Sequence, residues 1–464
     1  MAKSNDRIER DTLGKVKVAS GAYFGAQTQR AVENFKVSGF HLQPVFIWAQ
    51  AIIKQAAAKA NLDSGKLDMI IGEAIINASS EITAGKFKDQ FVVDVFQAGA
   101  GTSQNMNINE VIANRANETL GAKIGEYKPV HPNDHVNMGQ STNDTIHGAI
   151  HIAAYVEISK HLLPSVKKLA DSLRDKAREF DDVLKVGRTH LQDAVPIRLG
   201  QEFGAYEAMI RADHERIELA SKELLKLAIG GSAVGTGLNA GPEYREKVIE
   251  HIRQATGFKF STAGNMFEAM QSFDAVVSIA GALRVLVVNL SKIADDFRLL
   301  SSGPRAGLAE ISLPAVQPGS SIMPGKVNPV MAEMLNMVCY QAMGCDTVIA
   351  HAARAGQLEL NVMMPVIAYN LLMEIEILYG GIESFTDRCV SGIMANIENC
   401  RKYAERSPAL ATALNPHIGY NKAAEIAKEA LDKNLTIREL VVSKNLFNES
   451  QLEKILDIRE MTGE

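Results

Sequence analysis

At 464 residues, 46% of them hydrophobic and 22% charged, the chain has ordinary globular composition and is too long for one ordinary core. A net charge of −5 and a pI near 6.2 leave no basic footprint for nucleic acid or an anionic membrane. Cys339, Cys345, Cys389 and Cys400 lack metal-ligand spacing and the polar N-terminus lacks an apolar signal core, so a cytoplasmic protein with no membrane partner is expected. The most apolar window, Val276 to Leu290, reads as too short for a span and carries Arg284.

In chain order, the first forty residues are mixed and broken by glycines. Helical spacing of apolar residues then runs from Gln43 to Asn61 and from Lys66 to Ile82. A small, polar run at 97–107 feeds a helix predicted over 108–120. A second polar run, 131–144, leads into a helix over 145–180, broken at most by Pro164. Ser141, Thr142, Asn143 and Asp144 are all good cap residues, and capping needs only one of them.

Gly187-Arg-Thr-His-Leu-Gln-Asp-Ala-Val-Pro reads as a loop before a helix over 197–227, and Gly230 to Gly241 as a glycine-rich loop without the phosphate-loop pattern. A pattern over 266–300, apolar on more than one face, is a helix buried among other helices. Gly319-Ser-Ser-Ile-Met-Pro-Gly-Lys-Val-Asn-Pro follows, with Asn328 as a cap, Pro329 as the first helical residue and Lys326 supplying charge for an anion. Helices over 329–354 and 362–393 complete the set. The expected fold is mainly all-α: an N-terminal domain (1–139), a central five-helix bundle (140–396) and a small C-terminal domain (397–464).

Segments 99–107, 131–144, 187–196 and 319–329 each open onto a long helix. Together they resemble the signature regions of the fumarase/aspartase superfamily, and the resemblance runs from Gly25-Ala-Gln-Thr-Gln-Arg to Asn415-Pro-His-Ile-Gly-Tyr. It implies a homotetramer with a multi-helix core and active sites assembled from loops of three chains. The implied chemistry is anti elimination from a small dicarboxylate to give fumarate, with no metal and no organic cofactor. By resemblance Ser320 is the base, although its own chemistry also allows an oxyanion donor. His190, paired with Glu333, handles the leaving group or a carboxylate; without the resemblance, Glu333 reads as a first-turn acid on the helix dipole. Thr102, Ser141, Thr142, Asn143, Thr189, Ser321, Lys326 and Asn328 are the implied substrate contacts. Lys128, His131, Asn133 and Asp134 resemble a second dicarboxylate site.

Fumarases of this superfamily typically read Gly-Ser-Gly-Thr where this chain reads Gly99-Ala100-Gly101-Thr102, and aspartases commonly carry the alanine. Gln140-Ser-Thr-Asn-Asp also leans toward aspartase, whereas Val130-His-Pro-Asn-Asp-His and the stretch from Thr412 lean toward fumarase. Ile146-His147-Gly148 and Met364 fit neither pattern. The expectation is release of ammonia from L-aspartate, with hydration of fumarate as the alternative.

Overall fold

The computed structural model describes residues 6–463. An antiparallel hairpin, β1 (Asp6–Asp11) and β2 (Gly14–Ala19), opens the chain, where the sequence suggested only mixed structure. Helices follow: α1 (Ala26–Asn34), α2 (Pro44–Asp63), α3 (Met69–Thr83), α4 (Thr102–Thr119), α5 (Thr142–Glu157) and α6 (Leu163–Glu179). A π-helical turn, Ile158–Leu162, joins α5 to α6. It comes just before Pro164, a residue that cannot donate to a helical carbonyl.

A second hairpin, β3 (Leu184–Thr189) and β4 (Gln192–Arg198), precedes α7 (Leu199–Ser221). Then come α8 (Pro242–Thr256), α9 (Met266–Gln271), α10 (Asp274–Leu300), α11 (Val330–Ala353) and α12 (Met364–Arg388). Five short helices close the chain: α13 (Ile397–Arg406), α14 (Asn415–Ile418), α15 (Tyr420–Asp432), α16 (Ile437–Ser443) and α17 (Glu449–Ile455). The fold is mainly α, as the periodicity predicts.

Two readings need correction. Residues 187–196 form most of a hairpin, in which Leu184 pairs with Arg198, Lys185 with Ile197 and Val186 with Pro196 about a two-residue turn. Helix α10 is also 27 residues long, so by length and composition both it and α12 could cross a bilayer. Half of the α10 window is nevertheless buried within the described structure, as in the core helix of a globular protein.

The contacts divide into two compact units. The first comprises residues 1–163, 215–285 and 341–378. Its core centres on α2, which packs on α3, α5 and α8 and fully buries Phe46 and Ile53. Gly148 lets α5 approach closely, since a Cβ there would lie 2.7 Å from Ile229 Cδ1. The second unit comprises 164–214, 286–340 and 379–464. A row of aromatic rings, Phe180, Phe203, Phe297 and Phe385, runs through it at centroid spacings of 5.1, 5.3 and 5.7 Å. Each ring, once buried, contributes about 1.5–3 kcal/mol. Leu410, Leu414, Ile426, Leu440 and Leu452 build a separate C-terminal cluster.

Candidate active site

In the first unit the expected residues gather at two helix starts. Thr102 is the first residue of α4, after Gly99, Ala100 and Gly101. Ala100 is buried at φ 59°, and its N–H donates to Val362 O at 3.0 Å. Gly101 sits at φ 82°, and a Cβ there would lie 3.0 Å from Ile146 Cγ1, a tight contact. At α5 a capping box forms: Ser141 Oγ accepts from Asn143 N (3.2 Å), and Asp144 accepts from Ser141 N (2.9 Å). Asp144 also accepts from Gly230 N and Ser232 N, both at 3.0 Å. Capping therefore occupies Ser141 and Asp144. Asn143 Nδ2 donates to Ala233 O (2.8 Å) and Thr142 Oγ1 accepts from Asn105, both beside N–H groups that favour an anion.

Beneath these helix starts lies a residue the sequence reading passed over. Lys54 is fully buried on α2 and donates to Asn105 Oδ1 (2.8 Å), Asn137 Oδ1 (2.9 Å) and Gln140 Oε1 (3.0 Å). Asn105 passes this on, its Nδ2 donating to Thr142 Oγ1 at 3.1 Å. Burial pushes the Lys54 ammonium down to about 7 against the pull of Asp144. Burial pushes Asp144 up to about 6 against its three N–H donors and Lys54. The available signal was a lysine inside the apolar run Ile52-Ile53-Lys54-Gln55-Ala56-Ala57.

The segment around His131 forms a compact turn. His131 caps it, its Nδ1 accepting from Asn133 N (3.3 Å) and Asp134 N (3.2 Å). The Asp134 carboxylate lies 3.3 Å from the same Nδ1; with two N–H groups aimed at that nitrogen, we read it as an acceptor. Lys128, Asn133 and Asp134 are exposed around this turn, and the Lys128–Pro129 bond is cis.

In the second unit, His190 and Leu191 form the tip of the β3–β4 hairpin at φ 55° and 59°, with Thr189 paired to Gln192. Two residues at positive φ are the mark of a type I′ turn. Thr189 and His190 stand exposed at this tip. Behind them Arg188 forms two hydrogen bonds to Glu310 (2.8 and 3.0 Å), and Lys185 reaches Glu310 (3.1 Å) and Glu202 (2.7 Å). Among the described residues no hydrogen bond or ion pair joins His190 to Glu333.

The loop before α11 closes on itself. Gly319 N donates to Lys326 O (2.9 Å), and Asn328 Nδ2 donates to Gly319 O (2.6 Å). Helix α11 begins at Val330, not Pro329, so the Asn328 side chain clasps the loop rather than capping the helix. A Cβ at Gly319 would lie 2.5 Å from Lys326 O. Inside the loop Ser320 Oγ accepts from Ile322 N (3.2 Å) and Met323 N (3.0 Å). Ser321 and Lys326 are exposed, and Glu333 sits half-buried in the first turn of α11. No three His, Cys, Asp or Glu side chains converge among the described residues.

Comparison with known proteins meets this geometry. The lyase family model matches residues 14–344, and the fumarase C C-terminal model matches 410–463. The chain is 50% identical to aspartate ammonia-lyase of Bacillus subtilis over 98% of its length and 96% of that protein's. It belongs to the fumarase/aspartase superfamily. A second superfamily relative, class II fumarate hydratase of Neisseria meningitidis, is 48% identical over 97% of this chain and 98% of its own. The solved fumarate lyase:delta crystallin of Brucella melitensis bound to cobalt superposes with a TM-score of 0.95 at 48% identity, covering 99% of this chain and all of that one. The class II fumarase of Schistosoma mansoni gives 0.95 at 38% identity, over 99% of each chain. The protein is therefore a lyase of this superfamily, and the relatives named act on fumarate and aspartate, both small dicarboxylates.

Proposed function

We propose that the chain is an aspartate ammonia-lyase, acting as a cytoplasmic homotetramer whose active sites combine loops from three copies. The Ser320 oxygen, as an alkoxide, takes a proton from the carbon beside one carboxylate of L-aspartate. The C–H electron pair moves into that carboxylate, which becomes dianionic. The pair then returns, the C–N bond breaks, and ammonia leaves fumarate behind. The observation that carries this reading is the pair of N–H groups from Ile322 and Met323 aimed at the Ser320 oxygen. Donors of this kind favour the anionic form of a hydroxyl.

Lys326, Ser321, Asn328 and the α4 and α5 starts, with Thr102, Ser141, Thr142 and Asn143, bind the two carboxylates. Thr189, His190 and Glu333 serve the departing group or a carboxylate, and the His131 turn with Lys128, Asn133 and Asp134 serves a second dicarboxylate. Ammonia rather than water is favoured by the buried Ala100 methyl, which offers no hydroxyl to a bound water. Purified protein should consume fumarate, followed by its ultraviolet absorbance, only when ammonium is supplied. Malate formation from fumarate alone at a comparable rate would overturn the assignment and support the second reading, a class II fumarate hydratase. That second reading is favoured by the fumarase C-terminal match over 410–463.

A further inference from the structure

Within the first unit a cleft of about 730 Å³ opens where the start of α2, the turn after α3 and the end of α5 meet. Its lining is two kinds of chemistry side by side. Leu42, Pro44, Ile82, Phe91 and the half-buried Trp48 form an apolar wall, and Trp48 is the only tryptophan of the chain. Lys86 and Lys88 stand on the turn, and His41 lies at the foot of α2. Glu157 comes from the end of α5, and Lys160 and His161 from the π-helical turn that follows it.

Several of these charges are already engaged. Lys86 holds Glu81 at 3.0 Å, and Lys160 lies 6.0 Å over the Phe258 ring. Lys88 makes no ion pair among the described residues and is exposed at the mouth. Glu157 is half-buried, and no neighbour donates to its carboxylate among the described hydrogen bonds.

We propose that this cleft is a binding site for an adenine nucleotide, separate from the site of elimination. The apolar wall with Trp48 suits a planar ring, the Lys86–Lys88 turn suits phosphate, and Glu157 suits the exocyclic amine of the base. A small dicarboxylate would leave the apolar wall unused. A fatty acid would leave Glu157 without a donor.

Trp48 makes the test direct. ADP titrated into the full-length protein should change its tryptophan emission in a saturable way, and calorimetry should return the same affinity. Lys88→Ala should weaken ADP by about tenfold while leaving adenosine unchanged, the loss of one charged contact. Glu157→Gln should narrow the preference of ADP over inosine diphosphate. Both variants should retain the circular dichroism spectrum and the basal lyase rate, because neither residue belongs to the proposed catalytic set. The proposal is overturned if ADP gives no saturable emission change and no heat at millimolar concentration. It is overturned equally if pyrophosphate binds as tightly as ADP without touching Trp48, or if Lys88→Ala leaves ADP affinity intact.

Discussion

Lys54 Nζ lies 2.8 Å from Asn105 Oδ1, and through that amide the ammonium is connected to the Thr142 hydroxyl. The ammonium has three hydrogens for three side-chain oxygens, so every donor is used. Lys54→Met should leave Gln140 Oε1 without a donor among the described residues, and leave Asn105 Oδ1 and Asn137 Oδ1 with only the longer bonds from Thr145 and from Asn105 and Asn109, at about 1–3 kcal/mol for the orphaned group. We expect a lower melting temperature and a KM for aspartate raised by about tenfold or more, with a smaller change in kcat. An unchanged KM would remove Lys54 from the positioning role.

The same lysine has a signature in pH. Its folded value of about 7 lies below the ordinary lysine value of 10.5. Between these the unfolded chain holds the extra proton, so this group makes stability rise as pH climbs from about 7 toward 10.5. Thermal melts of wild type and Lys54→Met across that window should diverge with this sign.

Ser320→Ala should lower kcat by about 10²- to 10⁴-fold, the range for loss of a positioned proton acceptor. The loop should survive, because the Ile322 and Met323 N–H groups are exposed and can bond water. Full activity in this variant would end the assigned role of the serine.

Ala100→Ser tests the choice between ammonia and water. The site already accepts an L-residue at φ 59°, so the added oxygen is the main change. The ratio of malate to aspartate formed from fumarate and ammonium should rise. A ratio that does not move would place the discrimination elsewhere.

Glu374 offers a stability test away from the site. It is buried on α12, neither carboxylate oxygen has a hydrogen-bond partner among the described residues, and burial together with Asp346 raises its pKa to about 9, with Arg284 opposing. Its folded value lies above the ordinary 4.5 of a glutamate, so its contribution is full below 4.5 and is lost as pH rises through about 9. Glu374→Gln should flatten the fall in melting temperature over that interval and exceed wild type at its alkaline end.

The long helices were legible because apolar spacing is local: α2, α10, α11 and α12 lie close to where the periodicity put them. The β3–β4 hairpin was not, since its turn is His190-Leu191 rather than the Asn-Gly or Asp-Gly that usually supplies two positive φ values. Helix α8 was missed behind the glycines of 230–241, although Pro242 stands at its first position. For the site, Ser141 and Asp144 could be read as a capping pair, but the division of labour needs coordinates. Asn328 shows the same limit. Its residue type suits a cap, and only the position of Gly319 O makes its amide a clasp.

That clasp has a mechanical consequence. With Gly319 tied to both Lys326 and Asn328, and Ser320 tied to Met323, residues 319–328 form a closed hoop. A hoop moves as one piece, so any closure over substrate must flex in the strip before it, Leu313-Pro-Ala-Val-Gln-Pro, rather than inside it. Ser320 would then travel with its two N–H donors already in place. A protease probing the substrate-free enzyme should cut within 313–318 before it cuts within the hoop.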